Sequence, residues 1–236
     1  TSLAEEARKL GADVTLPATS ASSAVEAMQE LGKAGLSVRD TQDAARGSLE
    51  LAAAANISAA DAAKATASIL NQYQLAGTKA TKVTDLLSAA SINAQGNIQD
   101  FVEGFRALGP TANTAGVSVD RTTALLTELG QAGLAGAFGG TALKTFLLRL
   151  SPASKEAREA QEKLNVTLDH TRTLGAQLPE VIAQYVAGLK KLDPIARTDA
   201  LNTIFGTRGI QAASVVFNAG AANLVKLEAA ESRAGF

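Results

Sequence analysis

Three tetrapeptides constrain this chain more than anything else in it. Ser37-Val-Arg-Asp40, Ser58-Ala-Ala-Asp61 and Asn97-Ile-Gln-Asp100 each set a side-chain acceptor three residues ahead of an acid. In that spacing the first residue caps the open amides of a helix start. The acid then sits in the first turn, where the helix dipole favours negative charge. Apolar residues follow at helical spacing: Leu49 and Leu51, then Ile69, Leu70 and Tyr73, then Phe101, Phe105 and Leu108. Ser23-Ala-Val-Glu26 repeats the signature before an apolar face of Val25, Met28 and Leu31, with Gly32 as its stop.

The same reading covers the rest of the chain. Val83, Leu86, Leu87 and Ala90 form one helical face after a break at Gly77, and Gly109-Pro110 ends the helix of Phe101. Ser118 or Asp120 caps a helix bearing Leu125, Leu126 and Leu129. Ala142 to Leu150 is closed by Ser151-Pro152, and Lys155 to Leu164 is a charged helix. Leu178-Pro179-Glu180 and Asp193-Pro194 each open a helix with proline in the first turn. Gly206 stops the helix that ends at Phe205, and a last helix buries Ile210, Ala213, Phe217, Leu224 and Leu227. Only Val166-Thr-Leu alternates like a strand. The expectation is an all-α fold, an array of short helices and helical hairpins with roughly eleven or twelve helices in all. Residues 1–11 read as the end of a preceding helix, 12–130 as an N-terminal helical half and 131–230 as a C-terminal half. The two halves form one continuous core region joined by a glycine-rich elbow.

That elbow is the stretch GQAGLAGAFGGTALKTFLLRL, Gly130 to Leu150. Gly130, Gly133, Gly136 and Gly139 recur at every third position, Gly140 adds one more, and an apolar run containing Leu147 and Leu150 follows. A phosphate-binding loop needs different glycine spacing and a preceding strand. A collagen-like helix needs proline. A hairpin fits: glycine takes the left-handed helix cap, and the missing Cβ atoms let two helix ends approach closely. TALKTFLLRL is then a buried helix. Phe205 and Gly206 are expected to form a second such joint, an anchoring ring followed by a turn. ELGKAGLS (Glu30 to Ser37) and ELGQAGLA (Glu128 to Ala135) form a weak internal repeat, both between helices.

Composition narrows the function. The 236 residues carry 22 basic and 23 acidic side chains, a net charge of −1, and no dense Lys/Arg cluster, which argues against a general nucleic-acid binder. Hydrophobic residues make up 46% but aromatics only 4%, so the core is built mainly from small aliphatic side chains and should be thin. Cysteine is absent, which excludes disulfides and thiolate chemistry. His170 is single and reads as a solvated loop residue beside Asp169 rather than a metal ligand or base. Glu156, Glu159 and Glu162 alternate with Lys155, Arg158 and Lys163 as a solvated helix face. No catalytic, cofactor or metal site is expected, and no run reaches the ~18 apolar residues of a spanning helix.

The motifs in their order resemble a known family. GLAGAFGGTALKTFLLRLSP, then LNTIFGTRGIQAA, preceded by AMQELGKAGLS, SILNQYQLAG and VTDLLSAASINAQGNIQDF, resembles the core region of phage tail tape measure proteins of the TP901 type. The resemblance covers about Leu10 to Leu227. It implies a structural scaffold of a phage or prophage tail, which sets tail length and takes part in assembly and DNA delivery. It implies no enzyme activity and no cofactor. The partners it implies are tail tube protein, tail tip proteins, tail assembly chaperones and further copies of the chain, with a host protein and a transient membrane contact beside them. The implied places are the virion tail and, during assembly, the host cytoplasm. A membrane-active helical segment that inserts into the host envelope is the alternative reading.

Overall fold

The computed structural model describes residues 2–16, 19–94 and 97–233. The fold is all-α, with twelve α-helices and no strand among the described residues. In order these are α1 Leu3–Gly11, α2 Ala21–Lys33, α3 Val38–Ala55, α4 Ala59–Gln72, α5 Ala80–Asn93 and α6 Ile98–Thr114. They continue as α7 Val119–Gln131, α8 Gly136–Arg149, α9 Lys155–Lys163, α10 Leu174–Leu189, α11 Pro194–Ala219 and α12 Ala221–Arg233. A short 3-10 turn, Gly77–Lys79, precedes α5. The chain divides into two compact units, one of Thr1–Ile92 with Glu231–Phe236 and one of Asn93–Ala230. The helices on both sides of the glycine array lie in the second unit.

Caps explain most helix starts. Ser37, Ser58, Asn97 and Ser118 accept from the backbone N–H three residues on, and Asp193 caps α11 with Pro194 as its first residue. Two starts differ from the sequence expectation. α2 is capped by Ser20 in a box with Ser23, so the Ser23–Glu26 signature lies inside the helix. α10 is capped by Thr173, which leaves Pro179 inside rather than at the start. Pro110 is likewise inside α6, which runs on to Thr114. Both prolines leave the carbonyl four residues back without its helical partner. At Pro110 that carbonyl belongs to exposed Arg106, where water can satisfy it. At Pro179 it belongs to Gly175, and the Arg121 guanidinium of α7 donates to it. Arg121 also donates through Nε and Nη2 to Glu228 of α12, at 2.9 and 2.8 Å.

Six helices end in the same way. Gly35, Asn56, Gln74, Gly116, Gly133 and Asn165 all have positive φ. After each of these six, the next N–H reaches back five residues: Leu36 to Leu31, Ile57 to Ala52, Leu75 to Leu70, Val117 to Ala112, Leu134 to Leu129 and Val166 to Gln161. This is a Schellman-type cap with an apolar residue directly after the left-handed one. α2 therefore runs through Gly32 and turns at Gly35 instead. The two copies of the weak repeat share this corner, with Gly35 and Gly133 in equivalent positions. Val166-Thr-Leu is the exit from such a corner, not a strand.

In the first unit α2 packs against α1, α3 and α4, and α3 packs against α4. Its core is aliphatic and rich in alanine: Ala24, Ala27, Ala44, Ala45, Ala62 and Ala63 are fully buried around Leu31, Leu51, Leu70 and Leu87. In the second unit α8 is central, packed against α6, α7 and α11, and α11 also packs on α7, α9 and α10. The last stretch of the chain is not one helix. It breaks at Gly220 (φ 80°), which leaves Ala213, Phe217 and Leu224 buried but Ile210 and Leu227 half-buried.

Candidate functional site

The glycine array begins inside α7. Gly130 is buried there, and a Cβ on it would come within 2.9 Å of Ala94 Cβ. Gly133 (φ 78°) is the left-handed cap after α7, with open space around it. Gly136 (φ 71°) is the first residue of α8, and the preceding Ala135 offers no side-chain cap. Only glycine adopts such angles without strain. Gly139 and Gly140 belong to the first turns of α8, and both are buried. A Cβ on Gly139 would run into the Leu134 carbonyl, and one on Gly140 would lie 2.8 Å from the Cα of Gly104 in α6. The array thus does two things. It turns the chain at Gly133 and Gly136, and it lets α8 cross α6 with backbone nearly on backbone at Gly104 and Gly140.

Beyond the glycines, α8 buries Ala142, Leu143, Phe146 and Leu147, and Leu150 follows, fully buried. Phe146 stacks on Phe205 of α11 with ring centroids 5.3 Å apart. Phe217 meets both rings edge-on at 5.6 Å, and Tyr185 of α10 stacks on Phe217 at 4.8 Å. These four rings come from three helices and form one cluster, with offset and edge-to-face contacts of the kind aromatic quadrupoles favour. The polar end of Tyr185 is satisfied: Gln161 Nε2 of α9 donates to its hydroxyl and to the Leu150 carbonyl, both at 2.9 Å. Burial pushes the Tyr185 phenol well above its ordinary pKa, opposed in part by the Gln161 bond.

Phe205 and Gly206 sit at a break in α11. Phe205 is fully buried, and Gly206 takes φ 64° and ψ −179°, a region open essentially to glycine alone. The Arg149 side chain at the end of α8 lies over it, 2.9 Å from where a Cβ would stand. The two motifs, TFLLRL in α8 and IFGTRG in α11, therefore meet through one ring pair and one arginine–glycine contact. Among the partners, Phe217 was expected in the core of the last helix, whereas Phe146, Tyr185, Gln161 and Gly104 were not singled out from sequence. Their one signal is rarity: in a chain with 4% aromatics, each ring has a large share of the burial to itself.

The titratable residues that the sequence singles out as candidates for chemistry lie on exposed surfaces. His170 and Asp169 lie on an exposed turn, where the Thr171 hydroxyl and amide hold the Asp169 carboxyl below its usual range. Glu159 pairs with Lys155 on an exposed face of α9. Among the described residues no three His, Cys, Asp or Glu side chains are grouped to hold a metal ion. Among the same residues no helix is long and apolar enough to cross a membrane.

Comparison with known proteins gives this architecture its place. The family model described as phage-related minor tail protein matches residues 4–206. The chain is 28% identical over 210 residues to the tape measure protein of Pneumococcus phage Dp-1, covering 89% of this chain and 18% of that protein. It is 27% identical over 231 residues to the probable tape measure protein of Escherichia phage P2, covering 97% of this chain and 28% of that protein. A probable tape measure protein of Halomonas phage phiHAP-1 is 26% identical over 70% of this chain and 20% of its own length. The chain thus spans less than a third of these curated relatives. No solved structure matches it. A family model that runs from α1 to the Gly206 break, through the glycine array and the α6–α8 crossing, makes this chain a member of the phage-related minor tail protein family.

Proposed function

We propose that this chain is a segment of a phage or prophage tail tape measure protein, a scaffold that sets tail length and takes part in tail assembly and DNA delivery. The alignment with the P2 relative over 97% of the chain carries this reading, because it runs through both compact units. The glycine array and the Phe205-Gly206 joint support a core region of the TP901 kind. The segment has no catalytic role. It resides in the virion tail after assembly in the host cytoplasm, against tail tube protein, tail tip proteins, tail assembly chaperones and copies of itself.

Deleting α3 and α4 in frame tests it. If these residues are drawn out as helix inside the tube, a loss of about 36 residues shortens the tail by about 54 Å at a rise of ~1.5 Å each. If the folded unit is needed to begin the tube, tails fail to form. Electron micrographs of the deletion phage distinguish the two. Tails of normal length, number and infectivity would overturn the reading.

A further inference from the structure

Of the described phenylalanines, Phe101, Phe105, Phe146, Phe205 and Phe217 are buried, whereas Phe138 is 56% exposed. It is not isolated. Leu148 is 58% exposed on the same helix, α8, and the half-buried Thr141 and Thr145 lie between them. Positions 138, 141, 145 and 148 follow the spacing of a single helical face. The hydroxyls of Thr141 and Thr145 are turned back to the carbonyls of Ala137 and Thr141, and the Thr145 methyl rests against Gly209 of α11, so Phe138 and Leu148 supply most of the outward apolar surface. Beside Phe138 a groove of about 300 Å³ runs between α8 and α11, lined by Ala137, Phe138, Thr141, Ala142 and Arg208.

Cations flank this stripe along its length, whereas Asp100 and Glu103 of α6 stand at the first residue of α8, Gly136. Arg208 borders it from α11. Lys144, three residues after Thr141 and four before Leu148, borders its other edge. Neither cation has a hydrogen bond or ion pair among the described residues, and α8 contains no acidic residue at all. In a chain of net charge −1, this is a local positive frame around an apolar strip. A second copy docking α8 against α8 would set Lys144 and Arg208 against their own kind. A flat anionic membrane would not fill the groove.

We propose that the α8 face of Phe138, Thr141, Thr145 and Leu148, framed by Lys144 and Arg208, docks an amphipathic helix with acidic flanks from another protein. Such a helix lays its apolar side chains along the stripe and its carboxylates against the two cations. The array's glycines contribute by holding α8 rigidly on α6, so the strip is presented as a fixed ridge.

The test is direct binding by the whole chain. The probe is a fluorescein-labelled helical peptide with leucines at i, i+3, i+7 and i+10 and glutamates on both flanks. Its control is the same peptide with lysines in place of the glutamates. The acidic peptide is expected to bind and the basic one to fail. Phe138→Ser and Leu148→Ser should each weaken binding about tenfold or more, as central apolar anchors do. Both residues are exposed, so circular dichroism should show these variants folded. Lys144→Glu with Arg208→Glu should reverse the preference between the two peptides, an outcome that mere stickiness does not produce. Equal binding of both peptides, or binding that survives Phe138→Ser, would overturn the proposal. So would failure of the acidic peptide alongside co-sedimentation with phosphatidylglycerol vesicles, which would make the face a membrane contact.

Discussion

The two units solve the same packing problem with different side chains. In the first, no phenylalanine lies among the described residues, and helices close on one another through fully buried alanines around Leu31, Leu51, Leu70 and Leu87. Polar side chains tie its loops: Asp13 receives bonds from Arg46 and Thr15, Gly77 N–H donates to Asp40, and Asn71 donates to the Ala34 carbonyl. In the second, four rings from α8, α10 and α11 fill one centre, and glycines mark close approaches, among them Gly104 with Gly140 between α6 and α8. Alanine buries little area per residue and a ring buries much. A core of alanines therefore loses little to truncation at any one position and is weak in total, although it has no room for larger side chains. A core of rings is strong and depends on a few residues.

The sharpest way to break this contrast is to remove one ring. Phe205→Ala should destabilise by about 3–5 kcal/mol, as large aromatic truncations in closed cores do. Native-state hydrogen exchange should show the loss in the slowest amides of α8, α10 and α11. Unchanged exchange there would mean that the cluster does not anchor the unit.

Next comes the joint beside it. Gly206→Ala forces a side chain into a backbone region that disfavours it by about 1–3 kcal/mol, and Arg149 must also move. Gly133→Ala has free space around it and meets only the left-handed penalty of about 1–2 kcal/mol. Denaturant melts should rank Gly206→Ala as the more damaging. The reverse order would place the constraint at the array instead.

A smaller and opposite pair of effects compares the two copies of the repeat. Gly32 and Gly130 occupy equivalent helical positions, yet a Cβ on Gly32 meets nothing within 4 Å, whereas one on Gly130 meets Ala94 at 2.9 Å. Gly32→Ala should stabilise by about 0.5–1 kcal/mol through helix propensity. Gly130→Ala should lose that gain to crowding. Equal shifts in melting midpoint would show that the surroundings of the two corners do not differ as described.

The finest test is of the polar ties. Asp13 is pulled down to about 2, chiefly by the Thr15 hydroxyl and amide and then by Arg46. Its folded value lies below the ordinary ~4. Its contribution to the first unit is therefore complete above that ordinary value and fades as pH falls from about 4 to about 2. A carboxyl titration by NMR should find the midpoint near 2 in the intact chain and nearer the ordinary value in Arg46→Ala with Thr15→Val. A midpoint near 4 in the intact chain would dissolve the tie.

How much of this could be read in advance follows from distance along the chain. Cap and acid stand within four residues, so Ser37, Ser58, Asn97 and Asp193 announce their helices locally. Pro110 and Pro179 mislead because what keeps them inside helices is remote or solvent-borne. For Pro179 the rescuing group is Arg121, on another helix. Phe205, Gly206 and the glycine array stand out by residue type alone. Their partners, Phe146, Tyr185, Phe217, Arg149 and Gly104, are joined to them only by tertiary packing, which no short window contains.

The six shared corners bear on what happens when the chain is straightened. Each is specified within about six residues: a helix end, one left-handed residue, one apolar residue and a backbone bond reaching back across them. Nothing in that specification depends on a distant contact. A segment drawn out to full extension keeps the whole instruction for every fold-back in its own primary structure. It can crease again at the same points in any order as it is let go, much as a pleated sheet of paper remembers its folds. The four-ring cluster carries no such local memory and must wait for α8, α10 and α11 to come back together.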